Sequence, residues 1–221
     1  MGFWGTYIVA RAGTPITELA ALAPSAGQVV WQGTGSDGWQ AVQIGNGPHG
    51  WDRATLPAPW EATLRALMDQ SGHPVIATTI LDSDCGQLIG YSQEAGRWGG
   101  WLRLKMAITA IDQTLSQGDE GMLWWDQDGH VHAMDEEITS EKRARYQQRY
   151  DAALARFLEA GPDAKGATPL AVSWAQEAGL RPDPAGVLAA LSGQEVFAEE
   201  QFFRLLTALG VPEITAAGPP E

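Results

Sequence analysis

Between Phe3 and Leu81 the apolar residues switch repeatedly between two-residue alternation and helical spacing, and the order of those switches limits the folds open to this chain. Phe3 to Ala10 is rich in aromatic and β-branched residues and reads as a strand. Thr14-Pro15 then caps a short helix over Ile16 to Leu22, with proline in its first turn. Gln28 to Gln32 and Trp39 to Ile44 are two strand-like runs, and the turn-forming link Gly33 to Gly38 makes them a hairpin. After the loop Gly45 to Pro59, Trp60, Leu64, Leu67 and Met68 recur at helical spacing. Gly72 and Pro74 stop that helix before the apolar run Val75 to Leu81. The order β-α-β-β-α-β predicts an α+β fold of the ferredoxin-like kind, with two helices on one face of an antiparallel sheet.

Further hairpins extend the sheet. Gln87 to Tyr91 and Trp98 to Leu104 flank Gln93-Glu94-Ala95-Gly96. Met122 to Trp125 and His130 to Met134 bracket Asp126-Gln127-Asp128-Gly129, whose Asp-Gly pair favours a tight turn. From Ser140 onward the texture is helical. Tyr146, Tyr150, Ala153, Leu154, Phe157 and Leu158 form one stripe closed by Gly161-Pro162. Three shorter helices follow over Thr168 to Ala178, Asp183 to Leu191 and Phe197 to Leu209, each ended by glycine. The expected organisation is a sheet domain over 1–135 with a β-arm at 122–134, a helical part over 136–214 packed on it, and a disordered tail over 215–221.

Charge excludes more functions than it names. After Asp112 the chain has 18 acidic and 8 basic residues, so this half carries −10 of the net −13. Such a field repels nucleic-acid phosphates and anionic headgroups and draws cationic partners in over about 10 Å. No apolar run approaches the roughly 18 residues of a bilayer span. Gly2 and Thr6 meet the outline of a myristoylation pattern, but Phe3 and Trp4 read as strand and no basic patch follows. The single cysteine, Cys85, and an opening without a basic leader region point to a cytoplasmic protein.

Each candidate for chemistry has a plainer structural reading. In Asp82-Ser83-Asp84-Cys85, alternation would turn Asp82 and Asp84 to one face of a strand end, where a divalent cation could sit. A turn in which the Asp side chains bond the backbone is preferred, because further oxygen ligands are not identifiable from spacing. Flanking carboxylates raise a thiol pKa, which argues against Cys85 as a nucleophile. His130 and His132 share a side of the β-arm but read better as its polar face than as zinc ligands. Gly33, Gly35 and Gly38 satisfy a bare dinucleotide glycine pattern, yet a strand follows instead of a helix, so no cofactor is expected. Lys142, Arg143, Arg145 and Arg149 make a basic island that Glu141 partly pairs. Of ten tryptophans, Trp4, Trp31, Trp39, Trp60, Trp98 and Trp101 fall within predicted elements and are mostly core. Trp51, in a glycine-rich loop, and Trp124 or Trp125 are the contact candidates.

The opening Met1 to Arg11, the segment Leu81-Asp82-Ser83-Asp84-Cys85 and the stretch Phe202 to Gly210 resemble uncharacterised small acidic proteins of high-GC bacteria. That resemblance carries no assigned activity, so it transfers no functional residue. Two expectations remain. The first is a non-enzymatic interaction module, of the immunity or antitoxin-like inhibitor type, whose acidic surface meets a basic protein. The alternative is a small-molecule-binding protein or enzyme with a site between the sheet and the helical part, near Trp51, Asp82, Asp84 and His130.

Overall fold

The computed structural model describes residues 2–45, 60–111, 123–125, 131–133, 140–193 and 195–216. Its frame is an antiparallel seven-stranded sheet in the order β6-β5-β4-β1-β3-β2-β9, which with its helices makes the fold α+β. The strands are β1 (Gly5–Arg11), β2 (Val29–Thr34), β3 (Trp39–Gly45), β4 (Val75–Leu81), β5 (Cys85–Ser92), β6 (Gly96–Leu102) and the two-residue β9 (Thr215–Ala216). A separate hairpin pairs β7 (Leu123–Trp125) with β8 (Val131–Ala133). The helices are α1 (Glu61–Ser71), α2 (Leu104–Ile111), α3 (Ser140–Ala160), α4 (Ala164–Glu177), α5 (Pro184–Ser192) and α6 (Ala198–Ala208).

Both faces of the sheet are covered: Ile16 and Leu22, from the first predicted helix, share one face with α1, as the sequence reading placed them, and α4, α5 and α6 take the other. On one side Ile8, Ala10, Val42, Ile44, Val75 and Ala77 pack against Leu64, Leu67 and Met68 of α1. On the other side Tyr7, Val9, Trp39, Ile76, Ile80, Leu88 and Trp98 pack against Trp174 of α4, Val187 and Leu191 of α5, and Phe202 and Leu205 of α6. A strand buried on both faces has no reason to alternate, which is why β4 reads as a continuous apolar run and all seven of its residues are buried. A third cluster joins Leu81, Cys85 and Trp101 to Ala107 and Ile108 of α2 and Ala153 and Phe157 of α3. There the Trp101 indole donates to the Phe157 carbonyl at 3.0 Å.

The helix expected over Ile16 to Leu22 is not formed. One 3-10 segment, Ile16–Glu18, lies within that stretch and a second, Ala23–Gln28, follows it; Ile16 and Leu22 are buried in the core, and Leu19 and Ala21 pack against it. Side chains distant in sequence bond backbone N–H groups of this stretch. Gln40 Oε1 accepts from Ile16 N at 3.0 Å, and Gln70 Oε1 accepts from Ala21 N at 3.0 Å. Thr215 and Ala216, assigned from sequence to a disordered tail, pair instead with Thr34 and Gly33. At the opposite edge, the turn after α3 lies against β6 so closely that a Cβ on Gly161 would stand 2.9 Å from the Gly100 nitrogen.

Candidate functional site

The turn between β4 and β5 is where three distant parts of the chain meet. Leu81 pairs with Cys85, leaving Asp82, Ser83 and Asp84 as the loop, and Asp84 N donates to Leu81 O at 2.8 Å. Asp82 and Ser83 take φ of 50° and 60°, so strand alternation ends at Leu81 and the expected split of Asp82 and Asp84 from Ser83 and Cys85 does not hold. Asp82 Oδ1 accepts from Gly2 N at 2.8 Å and from the Trp4 indole at 3.1 Å. This carboxylate fastens the segment ahead of β1 to the turn.

Ser83 spends all its polar groups on long-range partners. Its N–H donates to Phe3 O at 3.0 Å, and its carbonyl accepts from Ala198 N, the first residue of α6, at 2.8 Å. Its hydroxyl accepts from Phe3 N at 2.8 Å and donates to Glu199 Oε1 at 2.6 Å. The other Glu199 oxygen is buried with no donor among the described residues. Nearby, burial first and the Glu199 charge second push the Tyr7 hydroxyl up to about 12. Burial also holds the Asp84 carboxyl above its usual range, with Arg103 opposing the shift and Asp82 adding to it. Arg103, itself at φ 54°, places Nη1 4.0 Å from Asp84 Oδ1 and donates to the Val196 carbonyl at 3.1 Å.

Asp82 and Asp84 therefore stand beside the start of α6, together with Glu199 and Glu200 of its first turn. Of the other residues singled out from sequence, Trp51 and His130 lie outside the described residues. Trp124 and Trp125 lie on β7, opposite His132 and Val131 in the backbone register. Cys85 is buried, and burial with the adjacent Asp84 pushes its thiol up to about 12, which leaves little thiolate to act as a nucleophile. Trp39, Trp98, Trp101 and Trp174 are core, and Trp4, Trp31 and Trp60 are half-buried. Among the described residues no three His, Cys, Asp or Glu side chains gather as metal ligands, and no helix is long and apolar enough to cross a membrane.

Sequence reasoning missed Arg103, Val196, Phe197 and Glu199. A signal was present. Val196-Phe197 is an apolar pair set between Glu195 and Glu199-Glu200, directly ahead of a helix whose cap position favours Ser, Thr, Asp or Asn. Including Phe197 in the predicted helix hid that mismatch. Comparison with protein-family models, curated proteins and solved structures yields no match to this chain.

Proposed function

We propose that the chain is a non-enzymatic, cytoplasmic interaction module, of the immunity or antitoxin-like inhibitor type, that binds a basic protein through the surface where the β4–β5 turn meets α6. The observation that carries this reading is the meeting of the turn bearing the exposed Asp82 and the half-buried Asp84 with the first turn of α6, which bears the exposed Glu200, across chain positions more than a hundred residues apart. Carboxylates grouped on a surface raise the encounter rate with a cationic partner and suppress acidic competitors. The alternative, a small-molecule site near Asp82 and Asp84, gains less support, because Asp82 is bonded to Gly2 and Trp4 and Asp84 lies beside Arg103. The order β4-β1-β3-β2 within the sheet, with α1 leading from β3 into β4, supports a ferredoxin-like core in which 3-10 segments replace the first crossover helix.

The test is capture from native lysate on the immobilised full chain, at about 0.05 M and about 0.5 M salt, with the eluate identified by mass spectrometry. A stoichiometric basic protein, held at low salt and released at high salt, is the expected result. A bound metabolite or metal without any protein partner would overturn the proposal.

A further inference from the structure

We propose that Val196 and Phe197 form the apolar anchor of this docking surface, and that the partner is a basic protein presenting an apolar pocket rimmed by Lys and Arg. This rests on the reading of the protein as a module for a basic partner, and it names the residues that would supply most of the affinity.

Phe197 occupies the N-cap of α6, with φ −121° and ψ 139°, and makes no side-chain cap hydrogen bond. A helix start exposes unpaired N–H groups, and a phenyl ring satisfies none of them, so this residue is a poor choice for helix stability. It is also a poor choice for burial, since Phe197 is 49 % and Val196 72 % exposed. A position that violates two local rules at once calls for a benefit from outside the fold.

The backbone around the pair is held from both sides. Arg103 grips the Val196 carbonyl, and the Ser83 carbonyl grips the Ala198 N–H. The two apolar side chains are thus presented on a fixed base, which lowers the ordering cost of docking. Asp82 and Glu200 are exposed on the segments forming or adjoining that base, whereas Asp84 lies beside Arg103, Glu195 is paired with Arg204 and the Glu199 carboxylate turns inward to Ser83. An aromatic centre inside a charged rim is the usual division of labour at an interface, with the ring giving affinity and the rim choosing the partner. A second copy of this chain would bring the same carboxylates and be repelled, whereas a basic protein complements them.

Two full-length variants test the assignment. Phe197→Ser places a hydroxyl at the N-cap three residues before Glu200 and so completes a capping box. The expected outcome is a melting temperature equal to or above that of the parent, with capture of the basic partner reduced about tenfold or more. The second variant carries a benzophenone side chain at position 197, with the same group at the exposed Leu188 of α5 as control. A crosslink to the salt-released basic protein from position 197 alone is expected. Undiminished capture by Phe197→Ser, a lowered melting temperature, or a crosslink to a second copy would each overturn the anchor assignment. If the parent chain captures no basic protein at either salt, the functional reading fails with it. If the parent captures one and Phe197→Ser captures it equally well, only the anchor fails.

Discussion

Replacing Ser83 by alanine and, separately, by glycine separates two contributions that meet in one residue. The hydroxyl accepts from Phe3 N at 2.8 Å, a neutral bond worth about 1 kcal/mol, and donates to the Glu199 carboxylate at 2.6 Å, a charge-assisted bond worth roughly 1.5–3 kcal/mol. Ser83 is buried, and removal of its hydroxyl also takes the donor from the one Glu199 oxygen that has one among the described residues. Ser83→Ala should therefore lose about 3 kcal/mol. Glycine loses the same bonds but is relieved of the left-handed backbone at φ 60°. That relief, about 1–2 kcal/mol, exceeds the extra chain entropy of glycine, about 0.5–1 kcal/mol. Ser83→Gly should thus remain about 0.5–1 kcal/mol more stable than Ser83→Ala, although it removes more of the side chain. Urea unfolding followed by tryptophan fluorescence, with the slope unchanged, reads the order as parent, glycine, alanine. An alanine variant as stable as the parent, or more stable than the glycine variant, would refute both the hydroxyl network and the strain assigned to this turn.

Trp174→Phe should destabilise the chain by about 2–3 kcal/mol. It removes an indole N–H that donates to Val75 O at 3.0 Å and Tyr91 O at 3.2 Å, and leaves a small void beside Trp39. An unfolding midpoint matching the parent's would show that this donor does not tie β4 to β5. Stability should also fall in alkali, because Cys85 and Tyr7, with unfolded values of 9.0 and 10.0, are each pushed up to about 12 by burial. The folded chain then holds these protons more tightly than the unfolded chain, so the stabilisation is complete below about pH 9 and is lost as pH rises toward about 12. Urea titrations from pH 8 to 11 measure that decline. A thiol reagent at pH 8 should react with Cys85 only as fast as the protein opens, and rapid labelling of the native state would contradict the burial assigned to this thiol.

The sequence made legible those elements whose cause is local. Helix α3 was announced by its apolar stripe, α4, α5 and α6 by their terminal glycines, and the β2–β3 and β5–β6 hairpins by turn residues at their centres. Ile16 to Leu22 misled because its helical composition is overruled by Gln40 and Gln70, side chains distant in sequence that satisfy its backbone. The candidate site was half legible. Asp82 and Asp84 stood out as paired acids in a turn-forming segment, but their neighbours did not, since Ser83 and Glu199 are 116 positions apart and no local period encodes their meeting. Phe197 was hidden for a different reason, because a residue that breaks the capping rule resembles ordinary helix content unless the boundary is fixed to the residue.

The contact between Gly161 and the backbone of Gly99 and Gly100 bears on how this protein behaves when concentrated. An outer strand with free N–H and C=O groups is a template on which another chain can add, and β6 is the outer strand on this side of the sheet. The glycine lets the turn after α3 close over that strand without a side chain to hold it off. A larger residue there would leave the monomer's core intact while unsealing its rim, so the damage would emerge as chains joining edge to edge into growing polymers, a failure of solubility located far from the acidic surface.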